Sequence, residues 1–499
     1  MIGAPAADRS PAGIPLGIAV LGLAALLVLL VAAALDAVAL GVGLVAVTGV
    51  AIALITRPDS AALIAIALVF TNATVIAMRF HGMPGYVAAV VPMLLAVALG
   101  YRVFVRREAI VVLPQVPWLV LLLFAHLIST VFARDIGPAA AGMVDFLVEG
   151  VILFLLFTNA IRTRTILVHA LWVLVAAGGF LGGLSALQQV TGTFDDNYFG
   201  FAQVSNAILS QGEGGAAVEG PQPRLAGPLG EKNHYAQYML MLFPVGLMLA
   251  WSERRRTWRF LAIALTILVM LGVVLTFSRG AAVGMAAVLM VMALLGYVHF
   301  RQLALVGALV VGLLIIFPQY TQRLAALDVQ EASSNRVIMS RATENVAAAL
   351  VFVDHPLVGV GPNLFPSYYR DYAVEFGALV RSSDRESHNL FLGIAAELGI
   401  IGLVAFLGIL TSISRRLLRA RAKWRATQPE AANIASGLLL SLVAFVSSGL
   451  FLHLSYARYF WLIAAIAAAG AWVLLREAID DSAEPSIAID QEADYLQRP

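Results

Sequence analysis

The sequence predicts an all-α polytopic membrane protein carrying a large polar loop before its last helices. Three observations predict it. Hydrophobic residues make up 61% of the chain and charged residues 12%, against roughly 45–50% and about 25% in soluble domains. Mean hydropathy is +0.88. The apolar residues fall in windows of about 20, the length that crosses a hydrocarbon core of about 30 Å. Such a chain needs lipid as its solvent, and nothing in it suggests a nucleic-acid partner. Cysteine is absent, so disulfides, thiolate nucleophiles and cysteine metal sites are excluded.

The windows lie near 14–34, 37–55, 60–77, 84–104, 114–132, 142–160, 166–188, 232–250, 259–277, 280–299, 302–317, 389–411, 433–452 and 457–475. They give roughly 12 to 14 transmembrane helices, because those at 60–77 and 302–317 are short enough for re-entrant or tilted segments. The first window has no convincing cleavage site and reads as a retained span.

Basic residues set the orientation. With the N-terminus in the cytoplasm, the inner loops hold Arg57, Arg106, Arg107, Arg162, Arg164, the run Arg254 to Arg256 with Arg259, and Arg301. A further inner loop holds Arg415, Arg416, Arg419, Arg421, Lys423 and Arg425. Short outer loops carry few cations, Arg79, Arg134 and Arg458 among them, which is the expected bias.

The chain then divides into N-terminal transmembrane helices (1–188), central helices with an outer loop at 189–231 (189–317), a large outer loop (318–388), C-terminal helices (389–475) and a cytoplasmic tail (476–499). The tail is polar and acidic and is expected to lack structure. The large loop is too long for a structureless connector. Residues 335–353 show helical periodicity, with Val337, Ile338, Val346, Leu350 and Val351 on one face, and Asp354-His355-Pro356 stops them. An aromatic helix is expected at about 363–376, with one or two amphipathic helices lying on the outer membrane surface and aromatics at headgroup level.

Several residues at the outer face could carry chemistry. His388 precedes an apolar run, so it sits where water meets lipid, and imidazole takes up a proton near neutral pH. Arg279, in Ser278-Arg279-Gly280, combines a guanidinium fork suited to phosphate with the positive end of the next helix; its plain alternative is an arginine snorkelling to headgroups. Arg224 precedes Gly227-Pro228-Leu229-Gly230 and a helix start near Asn233, where it is either a second phosphate ligand or a solvated cation. Lys232 is the weaker candidate, and His234 reads as an interfacial histidine. On the loop helix Arg336 is the better candidate. Arg341 lies about 140° further round and faces solvent. His355 reads as a turn residue. Glu397, a carboxylate inside a span, calls for a partner such as an arginine, or for a role in helix packing.

Other signatures are missing. Gly359-Val360-Gly361 lacks the third glycine of a dinucleotide site, and there is no HExxH, Walker A or paired-aspartate motif. His126, His169, His299 and His453 are isolated in sequence, so no metal site is expected.

Taken together, the residues at 220–410 resemble the O-antigen ligase-like superfamily of bacterial inner-membrane proteins. The resemblance is carried by Arg224 leading to Asn233, the Ser-Arg-Gly turn at Arg279, Arg336 opening the loop helix, His-Pro-Leu-x-Gly-x-Gly at 355–361, His388-Asn389 and Glu397-Leu398-Gly399. Glu231-Lys232 departs from the family, which often has Pro near the Asn. The resemblance implies a GT-C-like helical fold and a multi-pass inner-membrane protein whose active site faces the periplasm. It implies a glycan donor on undecaprenyl pyrophosphate, a glycan or lipid-linked acceptor, and metal-independent transfer to an acceptor hydroxyl without a cofactor. Arg224, Arg279 and Arg336 would bind substrate and His388 would be the base. Ligase and polymerase stay open. The competing class is a transporter or flippase of lipid-linked glycans or small anions, which predicts internal repeats with midplane charges in both halves. No such repeat is visible.

Overall fold

In lipid every backbone amide must find its partner inside the protein, and helices do this segment by segment. The computed structural model describes residues 58–205, 224–299, 301–302, 331–375, 385–454 and 456–496. Every predicted window within them coincides with an apolar helix; those at 14–34, 37–55 and 302–317 lie outside the described residues.

The chain begins with α1 (Pro58–Phe70) and α2 (Ala73–His81), then α3 (Val90–Gly100), α4 (Val116–Val131), α5 (Ile136–Asp145), α6 (Leu153–Ala160) and α7 (Arg164–Thr191). A wider helical turn, Phe146–Ile152, joins α5 to α6 as one span. Strands β1 (Gln203–Ser205) and β2 (Arg224–Gly227) pair antiparallel. Then come α8 (Lys232–Ser252), α9 (Arg256–Val274), α10 (Arg279–Leu294), the loop helices α11 (Glu331–Asp354) and α12 (Phe365–Glu375), and finally α13 (Leu390–Trp424), α14 (Pro429–Ser448) and α15 (Ala457–Leu496). Among the described residues eight helices are long and apolar enough to cross a membrane, or nine if the 52° bend between α1 and α2 joins one broken span. Where the sequence suggested an unstructured tail, α15 runs on to Leu496, through residues such as Ala, Glu and Leu that favour helix.

Burial separates the centre from the rim. The spanning windows of α8 and α15 are 78% and 72% buried, whereas that of α9 is 28%. The centre is built from small residues: Ala464, Ala465, Ala467 and Ala471 are wholly buried, and small side chains let helix backbones approach closely without a water-driven force.

Polar contacts define two ends. At one, Arg162 reaches Glu108 at 3.0 Å and Arg254 reaches Glu430 at 2.6 Å. This is the arginine-rich end. At the other, α8, α10 and α13 all start, each capped by a side-chain acceptor: Glu231, Ser278 and Asn389. Such caps satisfy amides that a helix start leaves unpaired.

The loop helices form a small core of their own. Ala347, Ala348, Val351, Phe365 and Tyr369 are buried together with Ala139 and Ala396. The predicted apolar face needs correction, because Val346 is 43% exposed; the buried stripe runs instead through Glu344, Ala347, Ala348 and Val351. The aromatics of α12 do not all spread at headgroup level. Phe365 and Tyr369 turn onto the alanine stripe, and Arg134 lies 3.8 Å above the Tyr368 ring while pairing with Asp371 at 3.2 Å.

The loop is also sewn into a span. Within α13, Gly399 adopts φ 64° and ψ −166° and breaks the helix. The carbonyls of Ala396 and Glu397 accept instead from Val360 and Gly361 N–H, both at 3.0 Å, and Ile400 N–H donates to the Pro356 carbonyl at 2.8 Å. Ser129 adds a bond to the Glu397 carbonyl at 2.6 Å. Irregular backbone at such depth is tolerated where protein covers it. The two sequence motifs, 355–361 and 397–399, are the two halves of this joint.

Candidate active site

The stripe on α11 follows the i, i+3, i+4, i+7 spacing of a buried helix face, yet its first member is a carboxylate. Glu344 has no exposed side-chain surface and is held from two sides: Arg385 Nη1 is 2.7 Å from Oε1, and His388 Nδ1 is 2.6 Å from Oε2. A buried carboxylate needs such partners. With Nδ1 close to Glu344, the carboxylate favours a hydrogen on that nitrogen, which leaves Nε2 to accept a proton. The next residue fixes the backbone, since Asn389 Oδ1 accepts from Phe391 N–H at 3.0 Å and Leu392 N–H at 3.2 Å. The His388 side chain remains 30% exposed, so it is reachable.

Two more imidazoles stand nearby. The His453 ring lies 6.2 Å from that of His388 and 5.0 Å from that of His234, so His453 is not isolated in space. His234 is buried; its Nδ1 meets Glu231 Oε2 at 3.0 Å and its Nε2 meets the His453 carbonyl at 3.3 Å. Where its position suggested an interfacial histidine, its side chain is packed inside the protein. Burial opposes charge on Glu231, but hydrogen bonds from the His234 ring and amide outweigh it and hold the carboxyl down at about 2. Burial, with His234 and His388 alongside, pushes the His453 imidazole down to about 3. Burial raises the Glu386 carboxyl against the pull of His388 and His234. Among the described residues no group of His, Asp or Glu is arranged to hold a metal.

Arg279 opens α10 and is exposed. The following Gly280 packs on Phe451 and the Ser448 carbonyl, the turn that leads into His453. Arg224 is exposed on β2, opposite Ser205, and β2 runs through Gly227, seated on the Tyr235 ring, towards Glu231. Both arginines therefore share the end of the bundle that holds His388. Arg336 is on α11, about 12 Å along the axis from Glu344; its side chain and that of Arg341 lie outside the described residues. Glu397 finds a backbone partner, Phe365 N–H at 3.3 Å, where the sequence suggested an arginine. Below Ser387 and His453 a cavity of about 350 Å³ opens, walled in part by Glu386, Asn363 and Glu397.

Residues 264–407 match the family model described as O-antigen ligase (Wzy_C). The segment is similar to the O-antigen ligase domain. The resemblance to the O-antigen ligase-like superfamily is thereby borne out over it. The matched segment holds Arg279, Glu344, Arg385, His388 and the helix break, while Arg224, His234 and His453 flank it. The family implies a membrane glycosyltransferase of ligase or polymerase type, acting in polysaccharide biosynthesis on lipid-linked glycans. No curated protein matches the chain.

Sequence reasoning missed Glu344, Arg385, His453 and the Glu231–His234 pair. Glu344 did leave a signal: it is a carboxylate at the head of an apolar helical stripe. The histidine contacts left none, because they depend on which helices become neighbours.

Proposed function

We propose that the protein moves a glycan from an undecaprenyl-pyrophosphate-linked donor to an acceptor hydroxyl, as an O-antigen ligase or surface polysaccharide polymerase. The arginine-rich end faces the cytoplasm by the positive-inside rule, which directs His388 to the periplasmic side of a bacterial inner membrane.

The observation that carries this reading is the His388–Glu344 pair. His388 Nε2 removes the proton from the acceptor hydroxyl as its oxygen attacks the anomeric carbon of the donor. The bond from that carbon to the pyrophosphate oxygen breaks, and undecaprenyl pyrophosphate leaves with the electron pair. Glu344 stabilises the imidazolium formed, as a carboxylate does behind the histidine of a hydrolase triad. Arg279 and Arg224, with Arg336, meet the pyrophosphate charge that grows on the leaving group. Pyrophosphate leaves readily and guanidinium groups can neutralise it, so the reaction asks for no metal.

The test is transfer by the purified full-length protein in lipid nanodiscs, with a lipid-linked donor. His388→Ala is expected to lose transfer while still binding donor. Undiminished transfer by that variant overturns the assignment.

A further inference from the structure

The cavity below His453 has walls of unusual chemistry. Four carboxylates line it, Asp145, Glu149, Glu386 and Glu397, and among the described residues no lysine or arginine does. Glu149 is paired through Arg458 Nη1 at 3.1 Å, and Glu397 takes the Phe365 amide. Asp145 and Glu149 lie within a membrane-spanning helix, where ionisable groups are expensive and generally functional. The remaining wall includes Phe146, Phe406 and Trp461. Trp461 is wholly buried, and its indole Nε1 has no hydrogen-bond partner.

Carboxylate oxygens accept hydroxyl hydrogens, an indole N–H donates, and aromatic faces take apolar C–H surface. That combination suits a sugar ring, and the volume lies at the small end of ligand cavities, about 300–1,000 Å³. A pyrophosphate or other anionic group would find no lysine or arginine in this lining to pair with.

We propose that this cavity seats the terminal sugar of the acceptor, and that its carboxylates admit only a sugar without an anionic group. The proposal rests on the glycosyltransferase reading and specifies its acceptor. Ser387, a buried lining residue, precedes His388 in the chain, so a hydroxyl of the seated sugar is presented towards the proposed base.

The experiment uses the full-length protein in nanodiscs with three probes, methyl glucoside, methyl glucosaminide and methyl glucuronide. Binding is followed by saturation-transfer NMR and transfer from lipid-linked donor is followed in the same preparation. The first two glycosides are expected to bind, and the glucuronide about tenfold or more weakly. Asp145→Asn with Glu386→Gln is expected to bring the glucuronide to within about threefold. Ile394→Trp, which fills the cavity, is expected to abolish binding of all three while donor binding persists. The comparison of probes on the unaltered chain stands even if a variant does not fold. Equal binding of the three probes, or none, in a preparation that transfers overturns the cavity assignment alone. Absence of transfer to any acceptor overturns the functional reading and the acceptor role with it.

Discussion

His388 Nδ1 and Glu344 Oε2 meet at 2.6 Å, one residue at the mouth of a membrane span and the other buried in a loop helix. The contact ties the loop helix to the proposed base. Glu344→Gln keeps the shape but removes the charge behind the imidazole. Transfer is expected to fall by about 10²-fold or more, since the analogous change in a serine hydrolase triad costs about 10⁴. Donor affinity should change little, and the pH profile of kcat should move. A variant with the wild-type rate and profile would show that Glu344 serves folding alone.

The interlocked glycines give a stability prediction. Gly359 has φ 72°, and a methyl group there would stand 2.3 Å from the Glu397 carbonyl carbon; at Gly399, φ 64°, it would stand 2.3 Å from that of Leu357. Either change to Ala is expected to cost about 3 kcal/mol or more, from strain plus displaced backbone. Gly183→Ala is the control, as its nearest neighbour would be a flexible leucine methyl at 3.8 Å. Thermal unfolding in detergent should separate the three, with Gly183→Ala unchanged or raised.

Acid should destabilise the histidine end. His453 titrates at about 3 in the fold against an ordinary 6.5, and Glu231 at about 2 against 4.5. Between those values the unfolded chain binds the extra protons, so stability increases with pH there and levels off above about 6.5, with a slope of at most about 1.4 kcal/mol per pH unit for each group. The thermal midpoint should hold near neutrality and drop as pH falls towards 4. His453→Asn should flatten the part between about 4.5 and 6.5. A midpoint that climbs on acidification contradicts the assignment.

Arg279 and Arg224 can be told from general surface cations by replacing them with lysine as well as alanine. Loss of a preorganised charge donor typically lowers kcat about 10²- to 10³-fold. Arg279→Ala is expected in that range and Arg279→Lys between it and wild type, because lysine lacks the bidentate fork. Arg224→Ala should behave alike, measured as initial rates at saturating acceptor. Equal rates for all would assign both residues to the lipid surface.

The helices were legible because lipid leaves so few alternatives: apolar length alone located each span within the described residues. The loop helices were legible too, down to the stop at Asp354. What escaped was long-range. Gln203-Val204-Ser205 and Arg224-Leu225-Ala226-Gly227 are too short to announce a ribbon, and their pairing needs the chain to return across a turn. Val346 is exposed although its apolar side chain predicts burial, because the buried face is set by Glu344, whose partners lie far along the chain. The motifs that carry Arg279 and His388 are visible in the sequence; the contact of His388 with Glu344 is not.

The joint at Gly399 has a consequence for biogenesis. A span whose carbonyls at Ala396 and Glu397 are completed by residues 360 and 361 cannot reach its native bend on its own. The upstream loop must already lie beside it. The bend of this span and the fold of the loop are thus completed together, and a chain with a damaged turn would be left with two unfinished halves of one seam.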